Sequence, residues 1–409
     1  MSCVEIYNSL SRKAEKFTPR SPKEVKMYTC GPTVYARPHM GNFRTYVFED
    51  ALKRYLRYSG YRVRHVMNIT DIDDTVMKET RKTGISRAAL TRKYERLFRQ
   101  DASALGIIPA GSYPHVSNYV ERMAETVQKL MEKRAAYKDD KCRVFFDISR
   151  FPSYGKLAGV KIRGERKVAR EEYKPFQAGD FLLLSRCREE NCEKCFETSM
   201  GKCKPAWNVQ CATMAAAELG GNIDISMGGQ DNLFNHHENT RAVADTLCGH
   251  EFSKYYMHVR HLILDGKKMS KSKGNVVLLP DLLARGFTAR EARMLLLSAH
   301  YRRRLNFTWE YARKIKMRSL GMRKAVNELK NAGGGKAGGN GREGFPDFAD
   351  DAQKEFEASL SDNMDIPSAL DVAERFARQS ADAGLSKKQA RAALMLLGKF
   401  DSVLACLPL

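Results

Sequence analysis

No stretch of 18 apolar residues occurs in this 409-residue chain, which excludes a helix that spans a bilayer. The first residues, MSCVEIY, lack the basic-then-apolar order of a secretory leader, so a cytoplasmic protein with no membrane partner is expected. In that reducing compartment the ten cysteines are read as metal ligands, nucleophiles or core residues, and disulfides are not expected. Internal repeats are lacking too, so a solenoid is excluded. Acid is the scarce charge: 48 Asp and Glu stand against 70 Lys and Arg, a formal net charge of +22. Such an excess favours a polyanionic partner, since every phosphate neutralised releases a condensed counterion. A generally basic, well-solvated surface would give the same composition. The length exceeds one compact core, and 43% hydrophobic residues support two or three buried domains.

The periodicity predicts a buried strand over 25–34 that enters a Gly-Pro turn. Asn42 is expected to cap a helix over 43–58, with Val47, Ala51, Leu52, Tyr55 and Leu56 as its apolar stripe. Gly60 ends it, and 61–69 alternates as the next strand. This strand–helix–strand unit begins a parallel nucleotide-binding sheet. Further along, a strand is expected over 222–227, a helix over 236–247 and a strand over 261–264. Mostly helices follow, interrupted by a linker of glycine-rich composition near 332–342.

Two short motifs stand at opposite ends of the α/β part. One is Pro38-His39-Met40-Gly41-Asn42, on the loop entering the first helix; the other is Lys268-Met269-Ser270-Lys271-Ser272. A helix N-terminus offers free N–H donors to a triphosphate, Gly41 allows close backbone approach, and His39 and Asn42 add side-chain donors. Lysines on a loop can stabilise charge as pyrophosphate leaves. Singly each motif is weak: a His before Gly at a turn is more often structural, and a Lys/Ser-rich loop is usually only solvated.

Together, in this order, they resemble the HIGH and KMSKS signatures of class I aminoacyl-tRNA synthetases, with Asn in place of the last His. The likeness narrows further. Cys30-Gly31-Pro32-Thr33-Val34-Tyr35, Asn68-Ile69-Thr70-Asp71-Ile72-Asp73-Asp74, Gly228-Gly229-Gln230-Asp231 and His236-His237-Glu238-Asn239 resemble blocks of the cysteinyl-tRNA synthetase family. That resemblance implies an α/β fold: a Rossmann-like parallel-sheet catalytic domain with an inserted subdomain, then a helical neck and a small helical bundle. The expected divisions are 1–275 (insertion about 110–222, Cys-rich loop 187–203), 276–331, a Gly-rich linker 332–344, and a truncated bundle 345–409. It also implies ATP, cysteine and tRNA as partners of a monomer, with Mg2+ carried by ATP. A zinc ion on Cys30, Cys211 and His236 would recognise the substrate thiol. His39, Asn42, Lys268 and Lys271 would be catalytic. ATP would lie on His39, Gly41, Asn42, Gly229, Asp231, Lys268 and Lys271, and the amino acid on Cys30, Gly31, Thr33, Thr70 and Trp207.

The chain also departs from the family pattern. Thr240 stands where a fourth, glutamate ligand is usual, Asn208 and Gln210 replace ionisable neighbours of the substrate, and Ser226-Met227 is expected to add bulk near the adenylate. Cys187, Cys192, Cys195 and Cys203 suit a second, structural zinc knuckle, an iron–sulfur cluster being the lesser alternative. The chain stops near where a small anticodon-reading domain would begin. Such a truncation also resembles the cysteine ligase of mycothiol biosynthesis, so transfer to a non-tRNA amine stands as the alternative to tRNA charging.

Overall fold

The structure is a computed structural model, and it describes residues 4–160, 179–187, 195–269, 274–332 and 344–409. Four parallel strands make the central sheet: β3 (Glu24–Thr29), β4 (Arg62–Met67), β9 (Ile223–Gly229) and β10 (Ser253–Val259), in the order β10-β9-β3-β4. Parallel neighbours need a crossover, and α1 (Met40–Tyr58) supplies the one between β3 and β4. Its buried face, Phe43, Val47, Ala51, Leu52, Tyr55 and Leu56, includes the whole stripe expected from the sequence. The cap is different. His39, not Asn42, ends the extended segment, and the two bond reciprocally: Asn42 N–H donates to His39 Nδ1 at 3.2 Å, and His39 N–H to Asn42 Oδ1 at 3.1 Å. The amide side chain of Asn42 thus takes the third-position role that Glu or Gln fills in a capping box.

Between β4 and β9 the chain leaves the sheet. It forms α2 (Asp74–Thr83), α3 (Arg87–Ala104) and α4 (Val120–Glu132), then an antiparallel sheet of β5 (Ala136–Lys138), β6 (Arg143–Phe146), β7 (Phe181–Arg186) and β8 (Cys203–Pro205). Phe146 stacks on Phe181 in this second core, with ring centroids 5.0 Å apart. The chain returns through α5 (Trp207–Leu219). Cys187 and Cys195 are joined as a disulfide, which corrects the expectation of reduced thiols here. Two of the four sulfurs are bonded to each other, so a four-thiolate knuckle is not assembled. Cys203 is buried with its sulfur 3.3 Å from Thr198 Oγ1, and Cys192 lies outside the described residues.

The helix expected over 236–247 is found as α6 (Glu238–Cys248), entered through a break at Asn235, whose φ of 75° is left-handed. Asparagine is among the few residues that tolerate such a φ. The strand expected over 261–264 is found as β11 (Leu262–Leu264), which joins a separate sheet with β12 (Lys267–Lys268) and β13 (Leu305–Phe307); β10 ends before it at Val259, where Arg260 N–H donates to Tyr301 O at 2.8 Å. At the N-terminus the hairpin β1 (Glu5–Asn8) and β2 (Lys13–Lys16) covers β10, with Ser9 N–H donating to Tyr256 O.

Beyond come α7 (Leu279–Ala284), α8 (Ala289–Leu297) and α9 (Trp309–Ala332), then α10 (Phe345–Ser361), α11 (Ile366–Asp382) and α12 (Lys387–Leu404). Pro367 sits in the first turn of α11, where its missing N–H costs nothing. Most of the expected glycine linker, 333–343, lies outside the described residues. Two buried arginines tie these helices to α1. Arg293 donates to Asp50 Oδ2 (2.6 Å), Leu404 O and Leu105 O, and Arg44 donates to five backbone carbonyls, among them Leu296 and Arg260.

Candidate active site

A cleft of about 500 Å³ opens at the carboxyl ends of the four parallel strands, where open α/β sheets place their ligands. Cys30 follows β3, Asn68 follows β4, Gly229 ends β9 and Val259 ends β10, and all four line it. The cleft brings together every sequence-predicted residue of the nucleotide, amino-acid and first metal sets that falls in the described residues: His39, Gly41, Asn42, Gly229, Asp231, Lys268, Cys30, Gly31, Thr33, Thr70, Trp207, Cys211 and His236. Lys271 lies outside the described residues, with Ser270, Ser272 and Lys273.

At the floor, one ligand atom each from Cys30, Cys211 and His236 lies within 4.8 Å of the others, and all three residues are buried. Three distant elements supply them: the end of β3, the second turn of α5 and the break before α6. Cys211 Sγ is 3.1 Å from His236 Nε2. The Cys30 thiol beside it, with His236, holds Cys211 well below its ordinary range, while Cys211 and burial push Cys30 well above. Two sulfurs and one imidazole nitrogen, with deprotonation already favoured at one sulfur, fit Zn2+. Trp207 covers His236, its ring parallel and 3.9 Å away.

His237 makes a supporting hydrogen bond behind the triad. Its Nε2 is 3.1 Å from Cys30 Sγ, its Nδ1 is 2.8 Å from His258 Nε2, and His258 Nδ1 is 2.8 Å from Ser9 Oγ. Burial pushes the His258 imidazole down to about 3 and His237 well below its usual value, so both are neutral. A sequence pattern could not reveal this row, because its members come from β1–β2, the α6 break and β10.

Above the metal triad the walls are close-fitted backbone. A Cβ at Gly31 would stand 1.8 Å from Asn68 O, so only glycine lets these two loops meet. Asn68 Oδ1 accepts from Gly31 N–H at 3.1 Å, while its Nδ2 donates to Thr70 Oγ1 at 3.1 Å. Thr70 N–H donates to Pro32 O and Val34 N–H to Thr70 O, which sets Thr33 beside Thr70. A Cβ at Gly229 would lie 2.6 Å from Asp231 Oδ1, so glycine there leaves that carboxylate its place. Sequence reasoning did not assign Thr45, Asn68, His261 or Met269, which also line the cleft. Thr45 had a readable signal, one helical turn beyond Asn42 on α1.

The departures lie behind the wall. Asn208 donates to Leu182 O and accepts from Asn239 Nδ2, and it does not line the cleft. Gln210 and Thr240 are buried, and neither Gln210 Oε1 nor Thr240 Oγ1 has a hydrogen-bond partner among the described residues. The expected bulk from Ser226-Met227 is not found. Both sit within β9, paired with Tyr28 and Thr29, and neither lines the cleft.

Comparison with known proteins agrees with this geometry. Residues 16–317 match the family model for the class I (C) tRNA synthetase catalytic domain. The chain is 38% identical to a cysteine–tRNA ligase of Chlamydia muridarum over 98% of its own length and 88% of the relative's. A counterpart from Chlamydia caviae is 46% identical over 75% of this chain and 65% of that protein. Among solved structures, Mycobacterium tuberculosis methionyl-tRNA synthetase with methionyl-adenylate aligns at TM-score 0.68 and 15% identity, covering 94% of this chain and 92% of that one. A ternary complex of Agrobacterium radiobacter LeuRS with tRNA aligns at 0.69 and 12%, covering 95% and 85%. At such identities the two structures show the shared fold alone.

Proposed function

The chain belongs to the cysteine-type class I aminoacyl-tRNA synthetases, and from that membership we propose that it activates cysteine with ATP and passes the cysteinyl group to tRNA. One observation carries the reading: a soft-metal triad and a helix-capped nucleotide motif open into the same cleft. Cys30, Cys211 and His236 would hold the zinc ion. Bound there, Zn2+ would bind a thiolate well and a hydroxyl far less well, which would separate cysteine from serine.

The protein's own groups account for the rest. Thr33, Thr70 and Gly31 orient the amino acid, with Trp207 as its lid. Gly229 and Asp231 take the nucleoside. The first N–H groups of α1, exposed to the triphosphate by the small Gly41, favour negative charge there. A cysteine carboxylate oxygen attacks the α-phosphorus, the bond to the bridging oxygen breaks, and pyrophosphate leaves with its Mg2+. His39, Asn42, Lys268 and Lys271 stabilise the charge that develops. The terminal ribose hydroxyl of tRNA then attacks the adenylate carbonyl, and AMP departs. In this reading residues 1–275 form the catalytic domain of a cytoplasmic monomer. An amine acceptor gains no support from the relatives, which bear the name of tRNA ligases.

Charging of unfractionated tRNA with labelled cysteine tests the acceptor. Cysteinyl-tRNA should form and be lost on mild alkali. Pyrophosphate exchange without any tRNA product would reverse the acceptor assignment.

A further inference from the structure

The lip of the cleft beside His261 carries charge that the cleft lining does not use. Arg260 comes directly after β10, and Arg304 directly before β13. Their backbones are joined: Arg260 N–H donates to Tyr301 O at 2.8 Å, and Leu305 N–H to His261 O at 3.2 Å. From beneath, buried Arg44 donates to the carbonyls of Arg260 (3.1 Å) and Arg303 (2.9 Å), fixing both segments to α1. Arg260 and Arg304 are themselves exposed, and among the described residues neither has an acidic partner within 4.0 Å.

The charges acting on the His261 ring include three cations, Lys268, Arg304 and Arg260, against one acid, Asp231. His261, Lys268 and Asp231 line the cleft, whereas Arg260 and Arg304 do not. A nucleotide and an amino acid held inside are therefore served without the two arginines. A ligand continuing past the lip would meet them, and guanidinium groups favour phosphate oxygens there. A cleft of about 500 Å³ admits the end of a strand and not a duplex.

We infer that Arg260 and Arg304 bind backbone phosphates of the single-stranded 3′ end of the acceptor RNA as it enters the cleft. The inference rests on the tRNA reading above and adds the place where the strand crosses the rim. It assigns these side chains to RNA affinity and not to adenylate formation.

The test uses the full chain carrying R260Q/R304Q, with R260K/R304K as the charge-retaining control. Filter binding compares an RNA hairpin with a single-stranded 3′ tail against the same hairpin blunt-ended. Wild type should prefer the tailed RNA, and R260Q/R304Q should bind it roughly tenfold more weakly at low salt, with the preference gone. The slope of log affinity on log salt should fall by about 1.4, or about 0.7 for each single-strand phosphate released. R260K/R304K should stay within about threefold of wild type, since an ammonium still neutralises the phosphate. Cysteine-dependent pyrophosphate exchange, including the KM for ATP, should be unchanged in all three. Equal RNA binding and equal slopes in wild type and R260Q/R304Q would overturn the inference. So would a raised KM for ATP, which would assign the rim to nucleotide phosphates. Loss of exchange in wild type itself would instead defeat the functional reading, while the binding arm would still decide the rim.

Discussion

The indole of Trp207 lies flat on the imidazole of His236, with ring centroids 3.9 Å apart and planes 9° from parallel. Trp207 is the first residue of α5 and is 43% exposed, so one of its faces covers His236 while the other meets solvent. A ring in that place holds the imidazole in orientation.

Trp207→Ala should therefore raise the KM for cysteine by roughly three- to tenfold, the equivalent of an aromatic contact of about 0.5–1.5 kcal/mol. Trp207→Phe should recover most of the loss. Steady-state exchange kinetics check this, and an effect on the KM for ATP alone would place the ring with the nucleotide.

Cys30→Ser should abolish retained zinc and cysteine activation together, because serine is a poor zinc ligand. Metal content by emission spectroscopy and exchange rate are read on the same preparation. Normal activation in a zinc-free variant would remove the thiolate–metal account.

Thr240→Val replaces a buried hydroxyl that has no partner among the described residues with a methyl of similar shape. Removing an unsatisfied polar atom is neutral or stabilising, by up to about 1 kcal/mol. Urea unfolding checks the sign, and a loss of more than about 1 kcal/mol would show that the hydroxyl has a partner in solution.

Arg293→Met should destabilise the protein by about 3–5 kcal/mol, because it leaves Asp50 buried without that partner. The same change cuts the ties of α8 to Leu404 and Leu105. A midpoint of unfolding within error of wild type would refute the view that this arginine joins α1, α8 and α12.

Stability should fall as pH drops below about 6.5. Burial lowers both His65 and His258 to about 3, with Lys53 and Arg57 adding to the effect at His65. Between those folded values and the unfolded one, His65, His258 and the likewise lowered His237 bind protons only in the unfolded chain, so these three make stability rise with pH there. Burial raises Asp245 to about 6, Glu49 well above the usual carboxylate range and Glu238 above it, and these three carboxyls oppose the trend. The urea midpoint should thus be lower at pH 5 than at pH 7, and His65→Gln should flatten the difference.

Much of this was legible in the sequence because it is local. The stripe on α1 follows helical spacing, and the two nucleotide motifs are short runs of residues whose chemistry is plain. What was not legible depends on partners far along the chain. β10 ends because Arg260 turns to bond Tyr301 O, and nothing near Arg260 announces that. The break at Asn235 likewise comes just before His236 and His237, whose partners Cys211 and Cys30 lie far along the chain. Cysteine spacing at 187–203 suggested a metal knuckle, yet Cys187, just past the end of β7, is bonded to Cys195 as a disulfide.

Cysteine recognition is the central claim, and a panel of all twenty amino acids in ATP–pyrophosphate exchange tests it most directly. The account predicts exchange with cysteine, weak or no exchange with serine, and loss of the cysteine signal when zinc is chelated. Exchange driven equally by serine, by another amino acid, or by none would contradict it.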